Sequence, residues 1–162
     1  MSDHNGSAKH LTMTLLMTPD YVNFSGKVHG GAILKLLDQV AYACASKYSG
    51  RYVVTLSVDS VVFKQPIYLG ELVTFLASVN HTGKTSMEVG IKLIAEDIHS
   101  KLARHVVSCY FTMVAVDDKG QSVPVPPLVT LTENEKSRFA AALERKNLRK
   151  KFEALHIATR NR

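Results

Sequence analysis

The sequence predicts an α+β fold in which one long helix lies against one antiparallel sheet. Three observations predict it. Residues 32–48 carry helical period, with Ile33, Leu36, Leu37, Val40 and Cys44 on one stripe. Residues 51–116 read instead as β segments, with Val54, Leu56 and Val58 alternating against Thr55, Ser57 and Asp59 in the first of them. The connections between these segments are short, which favours antiparallel pairing. A chain of 162 residues, 46% of them hydrophobic, can bury one sizeable core.

The elements follow in order. Residues 1–9 are polar and predict a disordered leader, and the opening ten residues lack the apolar run of a secretory signal. Residues 11–17 predict a first strand, closed by the turn signal Thr18-Pro19-Asp20. Residues 23–31 hold three glycines in nine positions and predict a structured loop. The helix over 32–48 follows, with Ser49-Gly50 ending it. Strands are predicted over 51–64, 71–80, 85–96 and 102–116, punctuated by Pro66, Leu69-Gly70 and His81-Thr82-Gly83. A proline run, Pro124, Pro126 and Pro127, leads to the tail. There Thr132 and Glu135 form a Thr-x-x-Glu capping box, which predicts a peripheral helix over about 133–155. The chain thus divides into a leader (1–9), one domain (10–130) and a basic helical extension (131–162).

Charge and composition exclude several functions. The net charge is +6, but residues 132–162 hold nine Lys/Arg against four Glu, so the body is nearly neutral. The tail lacks interleaved aromatics, which argues against nucleic acid. By charge alone a basic tail can hold RNA, acidic lipid, a nucleotide phosphate or nothing. No apolar run is long enough to cross a membrane as a helix. Two cysteines, Cys44 and Cys109, give neither a disulfide framework nor a zinc site, and the histidines show no metal spacing. A cytoplasmic location is expected.

Asp38 is the sharpest candidate. It lies roughly 140° from Ile33 around the helix, sharing its side with Gly31, Leu34, Ala41 and Ala45. Two readings are open: a surface carboxylate, or one facing a partner subunit or a cleft as general base or nucleophile. Gly30 and Gly31 open the helix, where amides are free donors suited to an oxyanion, although a tight loop also explains them. Asn23 suits the positioning of a carbonyl or a water, or simply a turn. A pairing of His29 with Cys44 is weak, because Cys44 falls on the buried stripe. Gly83, Lys84, Thr85 and Ser86 suit a phosphate or a plain hairpin equally well.

The residues Asn23-Phe-Ser-Gly26-Lys-Val-His29-Gly30-Gly31, Leu36-Leu37-Asp38, Val53 to Asp59, Phe63-x-x-Pro66-x-x-x-Gly70, Gly83-Lys-Thr85-Ser86-Met87-Glu88 and Phe111-x-x-Val114-Ala-Val116-Asp117, with Val123-Pro124-Val125-Pro126, stand in one order. Over about residues 15–128 they resemble the acyl-CoA thioester hydrolase family with the hotdog fold. The resemblance is to the bacterial single-domain members and to one half of the two-domain brain-type hydrolase.

That resemblance implies a five- or six-stranded antiparallel sheet wrapped around the helix. It also implies a homodimer as the minimal active unit, assembling further as a trimer of dimers. It implies hydrolysis of acyl-CoA to fatty acid and CoA, with Asn23 from one protomer and Asp38 from the other. Gly30 and Gly31 would bind the oxyanion, and Gly83, Lys84, Thr85 and Ser86 the CoA. No cofactor is expected beyond the CoA carried by the substrate, and no metal, nucleic acid or membrane partner. Two other readings remain: a non-catalytic acyl-CoA or nucleotide sensor, and a hotdog dehydratase using His29 and Asp38.

Overall fold

The computed structural model describes residues 8–160. The elements are β1 (His10–Leu16), α1 (Gly30–Ser49), β2 (Tyr52–Val58), β3 (Leu72–Thr82), β4 (Ser86–Glu96), β5 (Ala103–Val116) and α2 (Glu133–Arg160), with a short 3₁₀ turn at Pro19–Tyr21. The strands form one antiparallel sheet in the order β1-β3-β4-β5-β2. This is the α+β layer that the sequence predicts.

Strict alternation builds the core. Val73, Phe75, Ala77 and Val79 of β3, Met87, Val89, Ile91, Leu93 and Ala95 of β4, and Val107, Cys109, Phe111, Met113 and Ala115 of β5 are all buried. At one side-chain period of two, these residues share the face that packs on α1. From α1 come Ile33, Leu36, Leu37, Val40, Ala41, Cys44 and Ala45. The helix ends where Gly50 takes φ +64°, a left-handed conformation that favours glycine, and its N–H bonds Ser46 O.

Four expectations are adjusted. Ala41 and Ala45, on the Asp38 side of the helix, are fully buried in the core, because the buried stripe of α1 is wider than one row. The strand expected over 51–64 stops at Val58. Its alternation is interrupted by a register shift between Thr55 and Ser57, and the adjacent Val61 and Val62 cannot both face one side. Of the leader expected over 1–9, residues 1–7 lie outside the described residues, and Lys9 is buried, with its ammonium 2.8 Å from Glu135 and 3.2 Å from Val129 O. The tail helix runs on to Arg160, and its first half is built into the fold.

That half covers the other face of the sheet, where Ser78, Asn80, His81 and Glu88 are buried. Phe139 packs on the His81 ring at 4.9 Å between centroids, and Ala142 is buried beside it. Arg145 binds Glu88 at 2.6 Å, its guanidinium 3.6 Å from the Tyr110 ring centroid. Arg149 reaches both Asp59 at 2.7 Å and Glu88 at 3.3 Å. The Glu88 side chain is only 2% exposed, and these two guanidinium groups are its ion-pair partners. Gly90 makes the room: a Cβ there would collide with the Asn80 amide and crowd the Tyr110 ring.

The capping box forms as predicted. Glu135 Oε2 accepts from Leu131 N at 2.7 Å and Thr132 N at 3.2 Å, while Thr132 Oγ1 accepts from Glu135 N at 3.2 Å. The other carboxylate oxygen takes the Lys9 ammonium. One glutamate therefore caps α2 and ties it to the start of the chain.

Candidate active site

Asp38 stands on the solvent side of α1, in line with Leu34 and Tyr42 one turn away on either side. Both neighbours are large apolar side chains left exposed. From β2, at the edge of the sheet, Thr55 Oγ1 donates a hydrogen bond to Asp38 Oδ1 at 2.6 Å. The same hydroxyl lies 3.6 Å from Met113 Sδ. A hydroxyl has one proton, and the short contact to the carboxylate takes it. One carboxylate oxygen is thereby fixed, and Oδ2 carries the exposed lone pairs.

Asn23 sits in the loop before α1. Its Oδ1 accepts from Ser25 N at 2.9 Å, Ser25 Oγ at 2.7 Å and Lys27 N at 3.3 Å. Its own N–H donates to Lys27 O at 2.7 Å. The side-chain carbonyl is thus committed to an Asx turn, and the Nδ2 donor is the end left for a ligand.

The two helix-opening glycines differ. His29 is the N-cap of α1, and its Nδ1 accepts from Gly31 N at 2.9 Å. The Gly31 amide is therefore occupied, whereas Gly30 N–H has no partner among the described residues. Gly30, Asn23, Ile33, Phe63 and Ile67 line a cleft of about 280 Å³ with an apolar floor. Arg104 supports its rim, bonding Pro66 O at 2.6 Å and Glu71 through both of its terminal nitrogens at 2.7 Å.

Gly83, Lys84, Thr85 and Ser86 form the hairpin between β3 and β4, closed by Gly83 N to Ser86 O at 2.8 Å. The carbonyls of Lys84 and Thr85 accept from Val125 N and Ala115 N, so the turn is stitched to the body of the sheet. Cys44 and Cys109 are buried in the core, and burial pushes both thiols up to about 12. His29 does not meet Cys44, whose thiol donates to Lys9 O at 3.9 Å.

The structure therefore joins Asp38 to Thr55, and Asn23 to the Gly30 cleft, but not one group to the other. Gly30 and Asp38 are eight residues apart on one helix, a rise of about 12 Å. Groups acting on one carbonyl must converge within about 3 Å of it. Sequence reasoning missed Thr55. Its signal is a hydroxyl within an apolar strand, and only the docking of α1 on the sheet shows which residue it meets.

Residues 25–101 match the family model described as the thioesterase superfamily. The chain is 50% identical over 139 residues to Protein VdlD of Helicobacter pylori, covering 86% of this chain and 79% of that one. An apo-hexameric acyl-CoA thioesterase superposes with a TM-score of 0.87 at 36% identity, covering 90% of this chain and 94% of its own. An acyl-CoA hydrolase from Staphylococcus aureus, seen with butyryl-CoA, CoA and CoA disulfide, superposes with a TM-score of 0.82 at 28% identity, covering 94% and 95%. Structures of that hydrolase also exist with an aspartate, an asparagine or a threonine changed to alanine. The chain belongs to the thioesterase superfamily and has its hotdog fold.

Proposed function

We propose that this protein hydrolyses acyl-CoA thioesters to a fatty acid and CoA, in a site assembled from two protomers. The observation that carries the reading is the Asp38–Thr55 pair, held rigid and exposed but about 12 Å along α1 from the Gly30 amide. Each half lacks what the other has. A second copy, turned about a two-fold axis, supplies each half to the other.

The edge of the sheet supports this arrangement. β2 leaves Tyr52, Val54, Leu56 and Val58 exposed, an apolar row on an open strand edge. Such an edge invites pairing, and a second β2 is a self-complementary cover. Further assembly to a hexamer follows the hexameric neighbour. A second support is numerical. The substituted Asn, Asp and Thr of the Staphylococcus hydrolase are separated by 15 and 17 residues, as Asn23, Asp38 and Thr55 are here.

In the proposed reaction Thr55 orients Asp38, and Oδ2 takes a proton from water as its oxygen bonds to the thioester carbonyl carbon. The carbonyl oxygen gains negative charge, stabilised by Gly30 N–H and Asn23 Nδ2. This charge exists only in the transition state and intermediate, so the donors act on the rate. The C–S bond then breaks, and CoA leaves as thiolate and recovers the proton. Asp38 acting first as nucleophile, through an anhydride, uses the same residues. Label in the Asp38 carboxylate after a single turnover in ¹⁸O-water marks the second route with water attacking the Asp38 carbonyl carbon, and trapping with hydroxylamine detects an anhydride that is opened at the acyl carbon instead. No cofactor takes part in either route.

The dehydratase reading fares worse, since His29 Nδ1 is committed to capping Gly31. The decisive experiment is a panel of acyl-CoAs from acetyl to palmitoyl, with released thiol measured. Turnover of at least one is expected. CoA binding without turnover of any would replace the hydrolase with a sensor.

A further inference from the structure

The turn between β3 and β4 meets a second element of the fold, and the meeting is chemically uneven. Along the face that α2 lays on the sheet, Arg145 and Arg149 are engaged by Glu88 and Asp59. Lys146 lies on the same face and makes no ion pair or hydrogen bond among the described residues. Its ammonium reaches over Gly83 instead. A Cβ placed on Gly83 would stand 3.3 Å from Lys146 Nζ and 2.9 Å from Ser86 Oγ. The ammonium and the hydroxyl therefore converge on the one position of the turn that lacks a side chain, no more than about 6 Å from each other. A phosphate with a hydrogen bond of about 2.8 Å on either side spans such a gap. The side chain of Lys84, exposed and without a partner among the described residues, flanks it.

We propose that Lys146 is a ligand for a phosphate of the CoA moiety, so that α2 completes the nucleotide end of the substrate site. The inference rests on the acyl-CoA reading above and assigns to the C-terminal helix a role that the hairpin alone cannot fill. The turn contributes a hydroxyl and one mobile ammonium. α2 adds a cation whose position is set by the Arg145–Glu88 and Arg149–Asp59 contacts on either side of it. Its charge is not neutralised locally. His81 is held below its ordinary value by burial first, and then by the positive fields of Lys146 and Arg149, against the opposing pull of Glu88. Glycine at position 83 keeps the approach open.

The test is titration calorimetry of the full chain with CoA, dephospho-CoA, pantetheine and ADP, paired with steady-state hydrolysis of acyl-CoA and acyl-pantetheine. Lys146→Gln should weaken CoA about tenfold and raise KM for acyl-CoA by the same factor, the scale of one charge-assisted hydrogen bond. kcat should hold, and acyl-pantetheine, which has no nucleotide phosphates, should be unaffected. Lys146→Arg should restore most of the affinity, and Lys151→Gln should change nothing. Loss of the effect with dephospho-CoA would assign Lys146 to the 3′-phosphate, and its persistence to the diphosphate. Unchanged CoA affinity in Lys146→Gln overturns the inference and leaves the hydrolase reading standing. So does equal damage to acyl-pantetheine hydrolysis, which would indicate a general structural role. ADP binding that depends on Lys146 while CoA binding does not would also overturn it, in favour of a separate nucleotide site. If the wild-type chain turns over no acyl-CoA, the hydrolase reading fails, and the CoA titration still decides the role of Lys146.

Discussion

Thr55 Oγ1 donates to Asp38 Oδ1 at 2.6 Å, across the joint between an edge strand and the central helix. The bond fixes one carboxylate oxygen and leaves the other to act. Asp38→Asn keeps the size of the side chain but removes the proposed base or nucleophile, and kcat should fall at least roughly 10²-fold. Thr55→Ala should lower kcat by roughly 10- to 100-fold, the scale of one hydrogen bond to a charged group, with KM little changed. Thr55→Ser should recover most of it. A Thr55→Ala enzyme with wild-type kcat would remove the threonine from the site.

Subunit mixing tests the shared site. Asp38→Asn and Asn23→Ala chains, each nearly inactive, should recover activity once their subunits reassort. About half of the dimers are then mixed, and each mixed dimer has one intact site, so recovery should approach roughly a quarter of wild type. Verified mixed dimers that remain inactive would confine the site to one chain.

The α2 docking predicts a specific instability. Glu88 is buried between Arg145 and Arg149, and Glu88→Gln leaves Arg145 without its carboxylate while Arg149 keeps only Asp59. Breaking one side of such a cluster should cost about 3 kcal/mol in urea unfolding. Replacing Glu88 and Arg145 together by Leu and Met should cost less than the single change, because Arg145 is then not left without its carboxylate and Arg149 keeps Asp59.

A pH dependence follows from Glu135. The Lys9 ammonium, followed by the Leu131 amide, holds its carboxyl at about 2 against an ordinary 4.5. A lowered carboxyl stabilises the fold above its unfolded value and loses that contribution as the pH falls towards the folded value. The difference in urea midpoint between wild type and Glu135→Gln should therefore be largest above pH 4.5 and shrink as the pH falls towards 2. A difference that stays constant over this window would show that the carboxylate charge does not anchor α2.

Burial raises the Cys44 and Cys109 thiols to about 12, so neither is a thiolate at neutral pH. The folded protein should not react with Ellman's reagent, and a thiol-release assay should carry no background from the enzyme. Full titration of both thiols should appear only in denaturant. A fast stoichiometric reaction in buffer would mean that one of the cysteines is accessible in the native state.

The fold was legible because its signals are periodic and local. The stripe from Ile33 to Cys44 needs only the geometry of a helix to predict which residues are buried, and all five are, whereas the alternation of Val54, Leu56 and Val58 marks a strand but its apolar row is exposed, because β2 is an edge strand. The capping box at Thr132 was legible for the same reason, since both partners lie within one turn. Asp38 and Asn23 stood out as polar groups where the pattern made them unusual.

What tertiary structure alone decided involves partners far apart in the chain. Thr55 meets Asp38 only once α1 is laid across β2. Lys9 is an anonymous residue of a polar leader until Glu135, far along the chain, arrives beside it. The same holds for the tail, where a basic composition is compatible equally with a solvated helix and with a docked one. Its docking depends on Glu88, which β4 turns away from the core, and on Gly90, whose missing side chain makes room for the polar layer beneath α2. A sequence reports what each residue is suited to and which neighbours share its face within one element. Which elements come to face one another is set by the free energy of the whole packed chain, and the charges that find partners across those contacts are fixed only then.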